Sequence, residues 1–399
     1  MPVLLFLLVL NASAAEYPFR VYLADVDAES ITLAWGKAEG TAKNTIGRGA
    51  TSSGPAMVRI DGRTLTAERS WQRVGGLKPD TVYPYTVEAP GRGTVSGVAR
   101  TWPAKATSLT FFVIGDFGTG EKAQYRLAAR MEEERKRLEK SNQPVRFVLS
   151  VGDNIYGKYW ASGAQDRDWE QKFFAPYEQT LRAIPFKAIL GNHDGNESEK
   201  AGDLAVCLDN FFMPERWYRF SYASFVEFIA LDTTTNQTDG KAAPVYLKDG
   251  MQSKWLSGVL AAPAPPWRVV AMHHPMFTAG PNHEPFLERG RHWFEAMRQG
   301  SVDVVFSGHE HNLQFSERDE ATGNMQFVVS GAGGELRPTN VKKEMTKEHI
   351  AAWSNQNHFL IVTITDREMT MEAVGYDQIR MRDAAGIVAS KPIRFVSKR

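Results

Sequence analysis

The sequence predicts an α/β chain led by a small all-β sandwich, and three observations carry that expectation. Residues 17–103 read as short alternating segments between turn residues. From Thr107 an apolar strand, a charged helix and a second apolar strand follow in order, which is a βαβ unit with parallel strands. The same kind of strand then recurs in "IPFKAILGNHD", "PWRVVAMHHP" and "VDVVFSGHEH". With 399 residues the chain has room for two or three domains, at a prior of about 150 residues each.

The N-terminal stretch "MPVLLFLLVLNASAAE" runs apolar from Val3 to Leu10 and ends in small residues, with Ala12-Ser13-Ala14 in the small-x-small cleavage pattern. Residues 1–14 therefore read as a secretory signal, and the expected location is secreted or periplasmic; a disordered or buried N-terminal strand is the competing reading. The apolar run falls far short of the roughly 20 residues that span a bilayer, so no membrane span is expected from it. Residues 17–103 follow as the sandwich, with "SITLAWGK", "AMVRIDGR" and "TVYPYTVEAP" as strand-length pieces and Trp35 as a core ring. Leu77, Pro79, Asp80 and Tyr83 in "LKPDTVYPYTV" resemble the tyrosine corner of a fibronectin type III-like sandwich.

Residues 107–399 form the second unit. Its strands are "SLTFFVIGD" and "VRFVLSVGD", joined by "EKAQYRLAARMEEERKRLEK" with Leu127, Met131 and Leu138 on helical spacing. Later segments, "MQFVVSGAGG", "HFLIVTITD" and "EMTMEAVGYD", read as antiparallel strands that complete a second sheet.

Composition sets bounds on function. Lys+Arg 47 against Asp+Glu 46 leaves a net charge of +1, which gives no bulk field for nucleic acid or an anionic membrane. Cys207 is the only cysteine, so no intrachain disulfide forms; a small buried apolar residue is its ordinary role. The sequons at Asn196 and Asn236 matter only where the host glycosylates exported proteins. "GDFGTGEK" fails as a phosphate-binding loop, because Glu121 and Ala123 stand where lysine and a hydroxyl are required.

Five apolar strands each end in candidate metal ligands: Asp116; Asp153 with Tyr156; Asn192-His193-Asp194; His273-His274; and His309 with His311. Singly each has a plain reading. An aspartate after a strand caps a turn or helix, and a histidine there is usually hydrogen-bonded structure. Together they need something to compensate their desolvation, and a pair of cations does so. In "GHEHN" an extended chain would point His309 and His311 the same way, one to each of two metals, and turn Glu310 aside as a partner of another side chain or a solvated group. His292, His349 and His358 show no clustering and read as structural or exposed.

The ordered blocks "GDFG", "GDNIY", "GNHD", "VAMH" and "GHEH" resemble the purple acid phosphatases, within the calcineurin-like metallophosphoesterase superfamily, over about residues 108–380. The N-terminal sandwich is similar to the extra domain of the plant-type enzymes, whereas "GHEHNLQ" and "SGAGG" look more like the small mammalian-type branch. The resemblance implies a metallophosphoesterase β-sandwich flanked by helices, in α-β-β-α layers. It also implies a ferric iron on Asp116, Tyr156 and His311, a second divalent metal (zinc, manganese or ferrous iron) on Asn192, His273 and His309, and Asp153 bridging them. Hard anionic donors suit the trivalent ion, and imidazoles with an amide suit the divalent one.

On that reading the nucleophile is a hydroxide generated on the metal pair. His193 would bind phosphate oxygens, and His283 in "AGPNHEP" is the candidate proton donor, with a surface histidine as its plain alternative. Asp194 would orient His193 through a carboxylate–imidazole hydrogen bond. His274 reads as structural rather than as a substrate contact. The expected function is an exported phosphomonoesterase acting at acid pH on small phosphorylated substrates. A phosphodiesterase or nucleotidase of the same superfamily, or a binding protein with a vestigial metal site, are the competing functions.

Overall fold

The computed structural model describes residues 18–37, 55–157, 169–195, 201–238, 241–337, 340–342, 344–388 and 393–396. The expected signal segment and the sequon at Asn196 lie outside the described residues.

Among the described residues, seven strands form the N-terminal sandwich: β1 (Phe19–Val26), β2 (Ile31–Lys37), β3 (Ala56–Ile60), β4 (Arg63–Ala67), β5 (Trp71–Val74), β6 (Val82–Ala89) and β7 (Gly93–Arg100). They pair antiparallel in two sheets, β1-β2-β5 and β4-β3-β6-β7. Alternation buries Tyr83, Tyr85, Val87 and Ala89 of β6, in the same core as Leu33 and Trp35 of β2. The Tyr83 hydroxyl accepts the Lys78 backbone N–H at 2.8 Å, which closes the corner that "LKPDTVY" predicts. The arrangement fits a fibronectin III-like sandwich.

After it come two larger sheets. The first runs, edge to edge, β10 (Phe186–Ala188), β9 (Val145–Ser150), β8 (Ser108–Ile114), then Phe359–Thr365, Glu368–Val374 and Ile393–Val396. β8, β9 and β10 are parallel, as the βαβ pattern requires. In the second sheet Val226–Ala230, Trp267–Ala271, Val304–Ser307 and Gln326–Ser330 are parallel neighbours, and antiparallel strands flank them.

The period-2 alternation of the second sheet sorts its side chains into two cores. Phe228, Val269, Val304 and Phe306 face the first sheet; Ile229, Val270 and Val305 face Leu256 and Trp293 on helices Met251–Ala261 and Arg291–Gln299. Between the sheets Phe111 and Phe147 stack at 5.1 Å, and Phe228 meets both edge-on at 5.3 and 5.2 Å. Beyond the first sheet, helix α1 (Lys122–Lys140) buries Leu127, Met131 and Leu138, the three residues picked out by its spacing. The result is the layered order helix, sheet, sheet, helix.

One departure concerns the later segments: Phe359–Thr365 and Glu368–Val374 run antiparallel in the first sheet, on the edge of β8 opposite β9, and Gln326–Ser330 pairs parallel with Val304–Ser307 in the second. Thr235–Thr238 and Lys241–Pro244 pair antiparallel.

The sandwich is fastened to the rest of the chain. Trp102 packs on Tyr222 and Phe147, with centroids 5.3 and 5.9 Å away. The Tyr85 hydroxyl donates to the Arg182 carbonyl at 2.8 Å. Arg20 of β1 pairs with Glu170 and, at 2.6 Å, with Glu178; the Arg20 and Glu170 side chains are only 11% and 9% exposed.

Candidate active site

Every predicted ligand follows the carboxyl end of a parallel strand. Asp116 follows β8, Asp153 and Tyr156 follow β9, Asn192 follows β10, His273 follows Trp267–Ala271, and His309 and His311 follow Val304–Ser307. Parallel strands bring those ends to one edge, so residues 195 positions apart in sequence meet.

The meeting produces two clusters that share one residue. Ligand atoms of Asp116, Asp153 and His311 lie within 4.8 Å of one another, and so do those of Asp153, His273 and His309. The Tyr156 hydroxyl stands 3.2 Å from Asp116 Oδ1, 3.4 Å from Asp153 Oδ2 and 3.1 Å from His311 Nε2. On the other side His273 Nε2 lies 3.1 Å from Asn192 Oδ1 and 3.3 Å from Asp153 Oδ2. The structure thus brings all seven predicted ligands together, with Asp153 between the two groups.

The backbone is bent to achieve this. Asp116, Asp153 and His309 adopt left-handed conformations, with φ of 56°, 47° and 69°. Such a conformation costs of order 1 kcal/mol in a residue with a Cβ, and it persists where surrounding contacts over-determine it. Asp116 is held by the glycine turn after Gln326–Ser330: the N–H groups of Gly334 and Glu335 donate to its carbonyl at 3.0 and 2.9 Å. At Gly308, beside His309, a Cβ would fall on the Asp116 carboxylate. His309 and His311 therefore lie in a bend and not on the extended chain expected from their spacing, and they reach different clusters for that reason.

Burial and charge act together on these groups. Burial raises the Asp116 carboxyl against the opposing pull of His311, and the neighbouring Asp153 charge adds to the rise. At Asp153 burial also pushes upward, but the His273 charge and hydrogen bond prevail and hold it well below the usual carboxylate range. His273 is correspondingly pushed up to about 9 by Asp153 and Asp116, against the effect of its own burial. Burial and both carboxylates push the Tyr156 phenol far up. No lysine or arginine side chain pairs with Asp116 or Asp153 among the described residues. A cradle of two buried carboxylates and a phenol with imidazoles on either side fits cations as the missing counter-charge. The oxygen-rich cluster suits a harder ion than the imidazole-rich one.

Around the cradle the other predicted residues take unequal places. His193 donates its backbone N–H to Asp153 Oδ1 at 2.8 Å, and its half-buried ring sits 4.7 Å from that of Tyr156. His283 lies beside the centre, its ring 3.8 Å from that of His309, with Nδ1 3.0 Å from Glu310 Oε2. Glu310 is buried, and it is the partner of His283 and Asn282. Asp194 does not orient the His193 ring. Its carboxylate accepts the backbone N–H groups of Gly191 (2.9 Å), Asn154 (3.1 Å) and Ile155 (3.3 Å), and the Asn154 amide at 2.8 Å. A carboxylate beside a tight turn satisfies orphan backbone donors before it reaches the next side chain, so Asp194 anchors the turn that carries Asp153 and Tyr156.

Sequence reasoning passed over Lys172. A π-helical turn, Glu170–Phe174, points its Nζ to the Tyr156 carbonyl at 2.6 Å, and the same turn carries the Glu170 that pairs with Arg20. A lysine in a charged stretch carries no sequence signal for such a contact.

The calcineurin-like phosphoesterase family model matches residues 109–313. Tartrate-resistant acid phosphatase type 5 of Sus scrofa is 26% identical over 303 residues, covering 70% of this chain and 87% of that protein. Purple acid phosphatase 3 of Arabidopsis thaliana is 26% identical over 285 residues, covering 68% and 75%. Among solved structures, a purple acid phosphatase from yellow lupin superposes with a TM-score of 0.67 at 14% identity, covering 96% of this chain and 74% of that one. PhoD superposes with a TM-score of 0.66 at 14% identity, covering 94% and 93%. With the model spanning just over half of its residues, the chain belongs to the calcineurin-like phosphoesterase family and is a phosphoester hydrolase.

Proposed function

We propose that the chain is a dinuclear metal-dependent acid phosphatase that hydrolyses phosphate monoesters and, given its N-terminal segment, is exported. The observation that carries this reading is the pair of ligand clusters sharing Asp153, with Tyr156 reaching both carboxylates and His311. Asp116, Tyr156 and His311 would hold a ferric iron; Asn192, His273 and His309 would hold zinc, manganese or ferrous iron; Asp153 would serve both. When bound, the metals supply Lewis acidity to the phosphoryl oxygens and lower the pKa of a water.

The protein's own groups do the rest. Asp194, Asn154 and Lys172 hold the Tyr156 turn in place through the bonds described above, so the phenol is positioned before any ligand arrives. His283 is tethered at Nδ1 by Glu310, which leaves Nε2 to give a proton to the departing alkoxide. His193 stands on the Tyr156 side of the site and offers a ring nitrogen to a phosphoryl oxygen. These three contributions are positioning, general acid catalysis and charge stabilisation.

The test pairs metal analysis with turnover. Purified protein should carry two metals including iron, show a visible absorption band that Tyr156→Phe abolishes, and hydrolyse p-nitrophenyl phosphate faster than bis(p-nitrophenyl) phosphate. A diester preference would favour the phosphodiesterase function. Bound metals without turnover of either ester would favour a binding protein.

A further inference from the structure

His274 lies next to His273 in sequence and beside His309 in space, and nothing above gives it a role. Its ring centroid is 4.3 Å from that of His309, and Phe286 stacks on its far side at 5.9 Å and 30°. His283 also approaches His309, its ring at 3.8 Å. Two imidazoles thus adjoin a predicted ligand, and each is tethered at Nδ1 by a different kind of group. His283 is held by the Glu310 carboxylate at 3.0 Å, whereas His274 is held by the Thr233 hydroxyl at 2.6 Å.

That difference decides what each ring can do. Thr233 is buried, and its hydroxyl oxygen already accepts the His274 backbone N–H at 3.2 Å. A buried hydroxyl has one proton to place, and the one further partner of Thr233 among the described residues is His274 Nδ1. Donating it makes Nδ1 an acceptor, so the ring proton of the neutral imidazole is on Nε2. Nε2 has no hydrogen-bond partner among the described residues and does not belong to the sealed, unsatisfied polar atoms of the structure. The Thr233 tether fixes the ring and leaves Nε2 as its free polar atom.

We propose that His274 is a substrate-binding residue: its ring, held at Nδ1 by the Thr233 hydroxyl, presents Nε2 as a hydrogen-bond donor to a phosphoryl oxygen of the bound ester. The proposal rests on the phosphomonoesterase reading and divides labour between the two rings. His283 supplies the proton, and His274 binds without exchanging one.

The experiment uses the metal-loaded protein and the variants His274→Phe, His274→Gln, Thr233→Val and Thr233→Ser. His274→Phe and Thr233→Val should each lower kcat/KM about 10- to 100-fold, the range for one hydrogen bond to a charged group. Binding of inorganic phosphate, read by calorimetry, should weaken in the same two variants. His274→Gln and Thr233→Ser keep a donor in place and should recover most of the loss. In metal-free, ¹⁵N-histidine-labelled protein the His274 signal should report a protonated Nε2 and an unprotonated Nδ1. Wild-type kcat/KM and phosphate affinity in His274→Phe and Thr233→Val would overturn the proposal, as would a proton on Nδ1. Phosphate calorimetry and the tautomer signal read His274 even if wild-type protein turns over no monoester, so failure of the functional reading is separable from failure of this one.

Discussion

His358 offers a quantitative test of how the glycine turn beneath Asp116 is built. It is fully buried, with Nε2 3.1 Å from Ser330 Oγ, Nδ1 2.9 Å from the Gln356 carbonyl and its backbone N–H on the Ala332 carbonyl at 3.1 Å. Burial pushes its pKa down to about 4, only partly offset by the Gln356 carbonyl. In the unfolded chain the value is about 6.5. The unfolded state therefore binds the proton first as pH falls. The stability contributed by the neutral ring is complete above about pH 6.5 and is lost progressively down to about pH 4. The gap between those two values is worth about 3 kcal/mol in full, of which about 2 kcal/mol is already lost at pH 5. His358→Gln keeps one donor and one acceptor but cannot titrate. It should cost about 1 kcal/mol at pH 7.5 through imperfect hydrogen bonding, and become the more stable protein near pH 5. Urea unfolding followed by tryptophan fluorescence at both pH values, in chelator so that metal linkage drops out, measures the difference. Parallel losses in the two proteins between pH 7.5 and 5 would refute the reasoning.

Other expectations follow from the same contacts. Asp153→Asn keeps the shape but removes the shared charge, so metal content should fall below two per chain and kcat should drop at least about 10³-fold, by metal analysis and steady-state kinetics. Asp194→Asn weakens the anchoring of the Tyr156 turn and should reduce metal affinity about 10- to 100-fold in competition with a chelator, leaving the pH profile of the loaded enzyme unchanged. Arg20→Ala strands the poorly exposed Glu170 carboxylate and should destabilise the chain by about 3–5 kcal/mol in thermal or urea unfolding. A loss below about 0.5 kcal/mol would show the pair to be dispensable.

The ligand set was legible because its logic is local and repeated. Each ligand sits two to six residues beyond an apolar strand, and parallel strands bring those ends to one edge. The same locality explains the helix α1 stripe and the Tyr83 corner. What the sequence concealed depends on partners distant along the chain. Glu310 looked like the idle residue of a His-x-His pair, and only the approach of Asn282 and His283 shows what its carboxylate does. Asp194 looked like the neighbour of His193, yet backbone donors from two turns claim it first. His274 read as structure until Thr233, 41 positions earlier, disclosed its proton. Lys172 and Arg20 met no motif at all. Periodicity announces elements and their ends, whereas a single long-range hydrogen bond leaves no pattern to count.

The left-handed backbone at Asp116, Asp153 and His309 bears on inheritance. At each of these places glycine would relieve torsional cost, and asparagine would tolerate it well. A gene copy released from the demands of chemistry would gain folding free energy by drifting in that direction, one substitution at a time. Two acidic side chains and an imidazole thus stand at positions where the chain would fold more easily without them, a trade of stability for ligand geometry.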